Sequence, residues 1–312
     1  MSKVLPFAMR LAVGLAVFCN LLTCAQAQQP VFYFAAHEDD WQLFMGSQAF
    51  SDSTQNVKFV FVTLTSGDGG NDPGYGTTPS MVPYYLAREA GSIASVKFLA
   101  DYQTTTNTGQ ITNVAYGAGT INGHYITKIK YRNIDAFYFR LPDGGLSGTG
   151  TQATGYQSLQ ISRTCALAPT PGCISQLSSV DGKTVYQNWS DLTETIRQLV
   201  ANETGTSTSV WINLPNTNQN YNPGDHSDHY YTSYAAQDAL TGETQFNFRG
   251  FMDYNAQYEG ANLTADQIEN KAALFGTENY VLDLDGSIYT TWEPWHKQFL
   301  SREYFQVFQP GS

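Results

Sequence analysis

The chain has 312 residues, 42% of them hydrophobic and 14% charged, with a formal net charge of −11. That length fits one large α/β domain with insertions, or at most two small domains. The acidic balance argues against nucleic-acid and anionic-membrane partners, which need basic patches.

In chain order, the first element is an export signal. Lys3 and Arg10 make a positive start, Leu11 to Leu22 is a short apolar core, and Ala25-Gln26-Ala27 has the small-residue cleavage form. The core is shorter than a membrane span needs, so cleavage after Ala27 is expected. Lipid anchoring at Cys24 is the lesser reading, because Thr23 stands where a smaller residue would be expected. Losing Lys3 and Arg10 leaves 14 of the 16 basic residues against 27 acidic ones. No later stretch is apolar enough to span a bilayer, so a soluble protein, secreted or periplasmic, is expected.

The run Val31 to Ala36, aromatic and β-branched, reads as a buried strand. It stops at His37-Glu38-Asp39-Asp40, after which Trp41-Gln42-Leu43-Phe44-Met45 reads as helix. In an open α/β sheet, ligands bind outside the carboxyl ends of the strands, which is where this cluster falls. Asp39 and Asp40 could serve only as helix caps. A cap needs one such residue, and four ionisable groups in a row exceed that.

Val57 to Leu64 is a second buried strand, ending in the loop Thr65-Ser66-Gly67-Asp68-Gly69-Gly70 that continues through Pro73 and Gly76. Met81 to Leu99 reads as a helix carrying Arg88 and Glu89, and 111–132 as a hairpin-like insertion. Ile134 to Phe139 is a third strand, ending at Leu141-Pro142-Asp143-Gly144-Gly145. An irregular insertion over 146–183 holds Cys165 and Cys173, which in an oxidising compartment read as a local disulfide contributing ~2–3 kcal/mol. Ser190 is expected to cap a helix through Val200, before a fourth strand at Ser209 to Leu214. The polar segment Asp225-His226-Ser227-Asp228-His229 then opens a helix through Leu240. A strand at Gln245 to Tyr254 follows, and Thr264-Ala265-Asp266-Gln267 is a capping box for a helix ending near Gly276. Strands alternating with helices imply a mostly parallel sheet with right-handed crossovers.

This order brings two polar clusters to one sheet edge, and three of the five histidines lie in them. His37 and Asp40 are three apart, as are His226 and His229, so each pair can share one face of a helical turn. Two imidazoles and a carboxylate around a metal, with positions left open, is the pattern of a catalytic site. Solvated helix starts are the alternative.

The segments resemble those of the GlcNAc-PI de-N-acetylase, or LmbE-like, zinc deacetylases. The family signature Ala/Pro-His-Pro-Asp-Asp is matched by Ala36-His37-Glu38-Asp39-Asp40, and His-Pro-Asp-His by His226-Ser227-Asp228-His229. Thr63 to Gly69, the pair Arg88-Glu89 and Leu141-Pro142-Asp143-Gly144 also resemble family segments, in the right order. The likeness runs from residue 31 to about 275, with 101–130 and 146–186 unmatched. Glu38 and Ser227 replace the prolines, neither of which is a metal ligand in the family pattern.

The resemblance implies a Rossmann-like three-layer α/β fold with a mostly parallel sheet, forming a single domain over 28–312. It implies that His37, Asp40 and His229 bind Zn²⁺, and that Asp39 is the general base. His226 would stabilise the oxyanion or assist the leaving amine, with Asp228 orienting it. The implied substrate is an N-acetylated sugar or glycan. The chemistry agrees, since zinc can lower the pKa of water from about 15.7 towards 7. A cation also removes the repulsion between adjacent carboxylates. Arg88 is a candidate for holding substrate, with an ion pair to Glu89 as its alternative. Asp68 and Asp143 are further candidates that could equally be turn residues beside glycine. Two other classes remain: a two-His-one-carboxylate non-haem iron oxygenase, whose sites sit in all-β barrels, and a non-catalytic glycan-binding protein. Both insertions are expected to shape the cleft, and the oligomeric state is left open.

Overall fold

A computed structural model describes residues 28–70, 82–102, 115–284 and 291–309. The export signal, most of the loop through Pro73 and Gly76, and the start of the first insertion lie outside these residues. In chain order the elements begin with β1 (Gln29–Ala35), α1 (Asp40–Phe44), α2 (Gly46–Ser53), β2 (Val57–Thr65) and α3 (Tyr84–Tyr102). A hairpin of β3 (Ala115–Ile121) and β4 (His124–Tyr131) leads to β5 (Ile134–Leu141). Next come α4 (Leu159–Leu167), the ribbon β6 (Leu177–Ser178) and β7 (Val185–Tyr186), and α5 (Trp189–Thr204). The remainder is β8 (Val210–Pro215), α6 (Ser227–Ala239), β9 (Phe246–Phe251), α7 (Ala265–Leu284), α8 (Pro294–Lys297) and β10 (Phe305–Phe308).

Eight strands form one sheet in the order β10-β9-β8-β1-β2-β5-β4-β3. The middle five are parallel, and β10, β4 and β3 run antiparallel to their neighbours. Helices cover both faces, giving the α/β, Rossmann-like layering expected. β1 is central and buried on both sides, so it reads as a continuous apolar run rather than an alternation. Val31, Tyr33 and Ala35 join the core shared with α1, α3 and α7. Phe32 and Phe34 join the opposite core with α5 and α6. All five parallel strands end on one edge, where the chain emerges into His37, Gly67, Asp143, the segment before His226, and Asp253.

Several expectations are corrected. The cap of α5 is Asn188, whose side chain accepts from the Asp191 amide at 3.1 Å, and Ser190 lies inside the helix. The Thr264–Gln267 capping box forms, with Thr264 Oγ1 and Gln267 Oε1 each accepting the other's amide at 3.3 and 2.9 Å. Its helix runs past Gly276 to Leu284. β9 stops at Phe251, and Tyr254–Tyr258 is a 3₁₀ turn. The 146–186 insertion is not wholly irregular, since it carries α4 and the small ribbon, with Cys165 and Cys173 joined as a disulfide. The β3–β4 hairpin turns at Asn122-Gly123, both at positive φ as a tight two-residue hairpin requires. No described helix is long and apolar enough to cross a membrane.

Candidate functional site

The end of β1 delivers His37 and the start of α1 delivers Asp40, both almost fully buried. Asp40 Oδ2 accepts from the His37 amide at 2.7 Å, which fixes the turn. The same carboxylate lies between two imidazoles. Its Oδ2 is 3.5 Å from His37 Nδ1, and its Oδ1 is 3.2 Å from His229 Nε2.

Each of those rings turns its other nitrogen to a pair of carboxylates. His37 Nε2 faces Asp143 at 3.5 Å and Asp228 at 3.6 Å. His229 Nδ1 faces Asp225 and Asp253, each at 3.1 Å. Carboxylates on the far nitrogen orient a ligating imidazole and raise its basicity. Among the described residues three groups could hold a metal ion: His37 with His226 and His229, His37 with Asp143 and Asp228, and Asp225 with His229 and Asp253; Asp40 stands between His37 and His229. His37 Nε2 and His229 Nε2 are both buried without a hydrogen-bond partner. Ring nitrogens of His37, His226 and His229 also come within 4.8 Å of one another. His226 is the poorer ligand, because its Nδ1 already accepts from the Asp228 amide at 3.1 Å. Imidazole and carboxylate donors in this number fit zinc.

The electrostatics follow from crowding in a dry place. Burial would raise Asp40, but His229 and His37 hold its carboxyl well below the usual range. Burial would lower His37 and His229; Asp40 with Asp143, and Asp40 with Asp225, raise them instead. Burial pushes Asp253 up to about 8, with Asp225 adding to it, and Asp228 up to about 6. Burial, then His37 and His229, push His226 down to about 2, leaving it a neutral ring. Since its Nδ1 accepts, the tautomer assigned carries its proton on Nε2.

Asp39 occupies the cap position of α1, yet its side chain makes no cap hydrogen bond. Its Oδ1 pairs instead with Arg88 Nη2. Arg88 also donates from Nη1 to the Gly67 carbonyl at 2.5 Å, and its Nε lies 3.6 Å from Glu38 Oε2. Gly67 has φ +55°, and a Cβ there would strike both Glu38 and Arg88. The alternative partner for Arg88 is ruled out by geometry: Glu89 makes a two-pronged pair with Arg140, at 2.7 Å on each prong. Burial raises Glu38 to about 8, with Arg88 opposing.

These groups open onto a cleft of about 310 Å³. His37, Asp39, Asp68, Arg88, Asp143 and His226 line it, with Tyr84, Tyr254, Thr291 and His296 around them. Asp40, Asp228 and His229 lie beneath. Asp228 meets His226 through its backbone; its carboxylate accepts from the Gly144 amide at 2.8 Å and faces His37. Burial, then Asp143, raises Asp68 to about 7. Neither insertion supplies a described lining residue. The second instead braces the site: the Leu146 carbonyl accepts from the Ser227 amide, and Ser227 Oγ donates to Gln160 at 2.6 Å. Asp225, Asp253 and Tyr254 were missed as site residues. Asp225 alone had a signal, standing four residues before His229.

No family model matches the chain, and no curated protein matches it. Among solved structures, it is similar to the N,N'-diacetylchitobiose deacetylase of Pyrococcus horikoshii, at 13% identity and TM-score 0.47, over 99% of this chain and 96% of that one. The 4-carboxy-2-hydroxymuconate hydratase GalB of Pseudomonas putida KT2440 is similar at 11% identity and TM-score 0.43, over 83% of each chain. The zinc-inhibited form of the teicoplanin deacetylase Orf2 is similar at 13% and 0.41, over 83% and 84%. Likeness at this level says nothing of function, which the residues at the sheet edge must decide.

Proposed function

We propose that the protein is a secreted or periplasmic, zinc-dependent hydrolase that removes an N-acetyl group from an amino sugar or glycan conjugate. The observation that carries this reading is the Asp40 carboxylate set between His37 and His229, with Asp39 beside it at the cleft. His37, Asp40 and His229 would hold the ion. Bound zinc would supply Lewis acidity, acidifying a water and polarising the amide carbonyl.

The chain's own groups account for the rest. Arg88 engages Asp39 Oδ1, which leaves Oδ2 to accept a proton from the attacking water. His226, neutral and carrying its proton on Nε2, is suited to donate to the oxygen that gains charge on the acyl carbon. The C–N bond then breaks, Asp39 returns the proton to the departing nitrogen, and a free amine and acetic acid result, the acid losing its proton to solvent as acetate. Arg88, Asp68 and Asp143, which line the cleft, would meet substrate hydroxyls. Asp68 and Asp143 also serve as turn residues beside glycine, Asp68 accepting from the Gly70 amide at 3.0 Å and Asp143 from those of Gly69 and Gly145 at 3.0 and 2.7 Å.

The oxygenase reading loses its ground, since the site stands at the edge of a parallel α/β sheet and not in an all-β barrel. A binder without chemistry would not need a complete donor set with a carboxylate base beside it. The Cys165–Cys173 disulfide supports an oxidising compartment. The test is acetate release from a panel of N-acetylated sugars and glycans, using protein stripped with chelator and then given zinc. Release that needs zinc supports the reading; equal release from the stripped protein overturns it.

A further inference from the structure

One wall of the cleft is built by a segment outside the motif-bearing elements. Tyr254 and His296 both line the cleft, and Trp295 packs against both, with ring centroids 4.7 Å from Tyr254 and 4.8 Å from His296. Tyr254 in turn lies edge-on to His229 at 4.9 Å. An aromatic series thus runs from a candidate metal ligand outward to Trp295, which is 38% exposed. Trp292, next to the lining residue Thr291, is exposed to the same extent, but its ring already meets Phe275 at 5.4 Å and Lys297 Nζ at 4.7 Å.

A tryptophan left 38% exposed beside a polar cleft is unusual, because large aromatics are ordinarily buried to a greater degree. Trp295 also meets Phe299 edge-on, with ring centroids 5.2 Å apart. The lining of the cleft is otherwise largely polar and includes Asp68 and Arg88. A pyranose ring matches this division: one face offers C–H groups to an aromatic plane, while its edge offers hydroxyls to carboxylate and guanidinium. Apolar area and ring contact at such a shelf favour a saccharide without needing charge on it.

We propose that Trp295 forms a saccharide subsite next to the candidate metal site, so that the substrate is an oligosaccharide or glycan longer than the single N-acetylated unit being cleaved. The inference rests on the deacetylase reading for its direction, but binding tests it separately. The probes are N-acetylglucosamine and its β-1,4-linked N-acetylated trimer and tetramer, titrated into the zinc-loaded protein and followed by calorimetry and acetate release. The wild type should bind the tetramer more tightly than the monomer, and Trp295→Ala should erase most of that gain, by about three- to tenfold in Kd. Trp295→Phe, which keeps a ring and the packing on Phe299, should retain part of it. No gain with length in the wild type, or an undiminished gain in Trp295→Ala, overturns the subsite. Length-dependent binding through Trp295 without acetate release from any probe would uphold the subsite and refute the deacetylase reading.

Discussion

Asp39 and Asp40 are neighbours in sequence whose side chains leave the turn between β1 and α1 in different directions. Asp40 points inward to two imidazoles, whereas Asp39 points to Arg88 and the cleft. Asp39→Asn keeps the size and loses the basicity, so it should retain metal while the rate falls roughly 10²–10⁴-fold, the usual range for a lost general base. Rates under both conditions, with metal content measured on the same samples, check this; near-normal turnover would remove Asp39 from the role. His229 depends on residues that no motif marked. Asp225 and Asp253 both face its Nδ1, which directs Nε2 to Asp40. Asp225→Asn should weaken metal affinity by about 10–100-fold without unfolding the protein. Competition with a chromophoric chelator measures it, and an unchanged affinity would show that Asp253 alone suffices.

At the scale of the element, what could be foreseen followed from how strongly each segment announces itself. β1, β2 and β5 are predominantly apolar runs, broken only by residues such as Lys58 and Asp135, because both their faces are largely buried, so residues 31–36, 57–64 and 134–139 were legible as strands. The two histidine motifs were legible because each sits where a strand gives way to a helix. Asp253 was not, as it stands singly at the end of β9 and gains meaning only across space from His229. β10 was not either: it is short, at the sheet edge, with Phe305 and Val307 exposed, and it has no alternation to find. Gly276 does not end α7, since a helix packed along one side tolerates an interior glycine at a cost of about 1 kcal/mol. The cap of α5 tests this kind of reading directly. Asn188→Ala should cost about 1 kcal/mol, or about 2–4 °C in Tm, while Ser190→Ala should leave Tm nearly unchanged. The reverse ranking by calorimetry would put the helix start where the sequence alone placed it.

For the molecule as a whole, the acidic balance makes the placement of its few cations important. Asp135 in β5 is buried beneath three lysines, at 2.9 Å from Lys58, 3.3 Å from Lys128 and 3.5 Å from Lys130. Burial would raise its carboxyl, but the Lys58 hydrogen bond and the lysine charges lower it below the ordinary value of 3.8. A carboxyl depressed in the folded state stabilises above its unfolded pKa, and that contribution is lost as pH falls through the lower folded value. Wild type should therefore exceed Asp135→Asn in Tm by a constant margin above about pH 5, and the margin should shrink below about pH 4. A margin independent of pH would mean that packing and not charge is what Asp135 provides. All five parallel strands direct their carboxyl ends to one edge, and the account depends on that edge holding a single ion. The measurement that tests this most directly is metal content per chain for the zinc-loaded wild type and for His37→Ala, Asp40→Ala and His229→Ala, each confirmed as folded. The account predicts one zinc per chain in the wild type and well under one in every variant; a full equivalent retained by any of the three would contradict it.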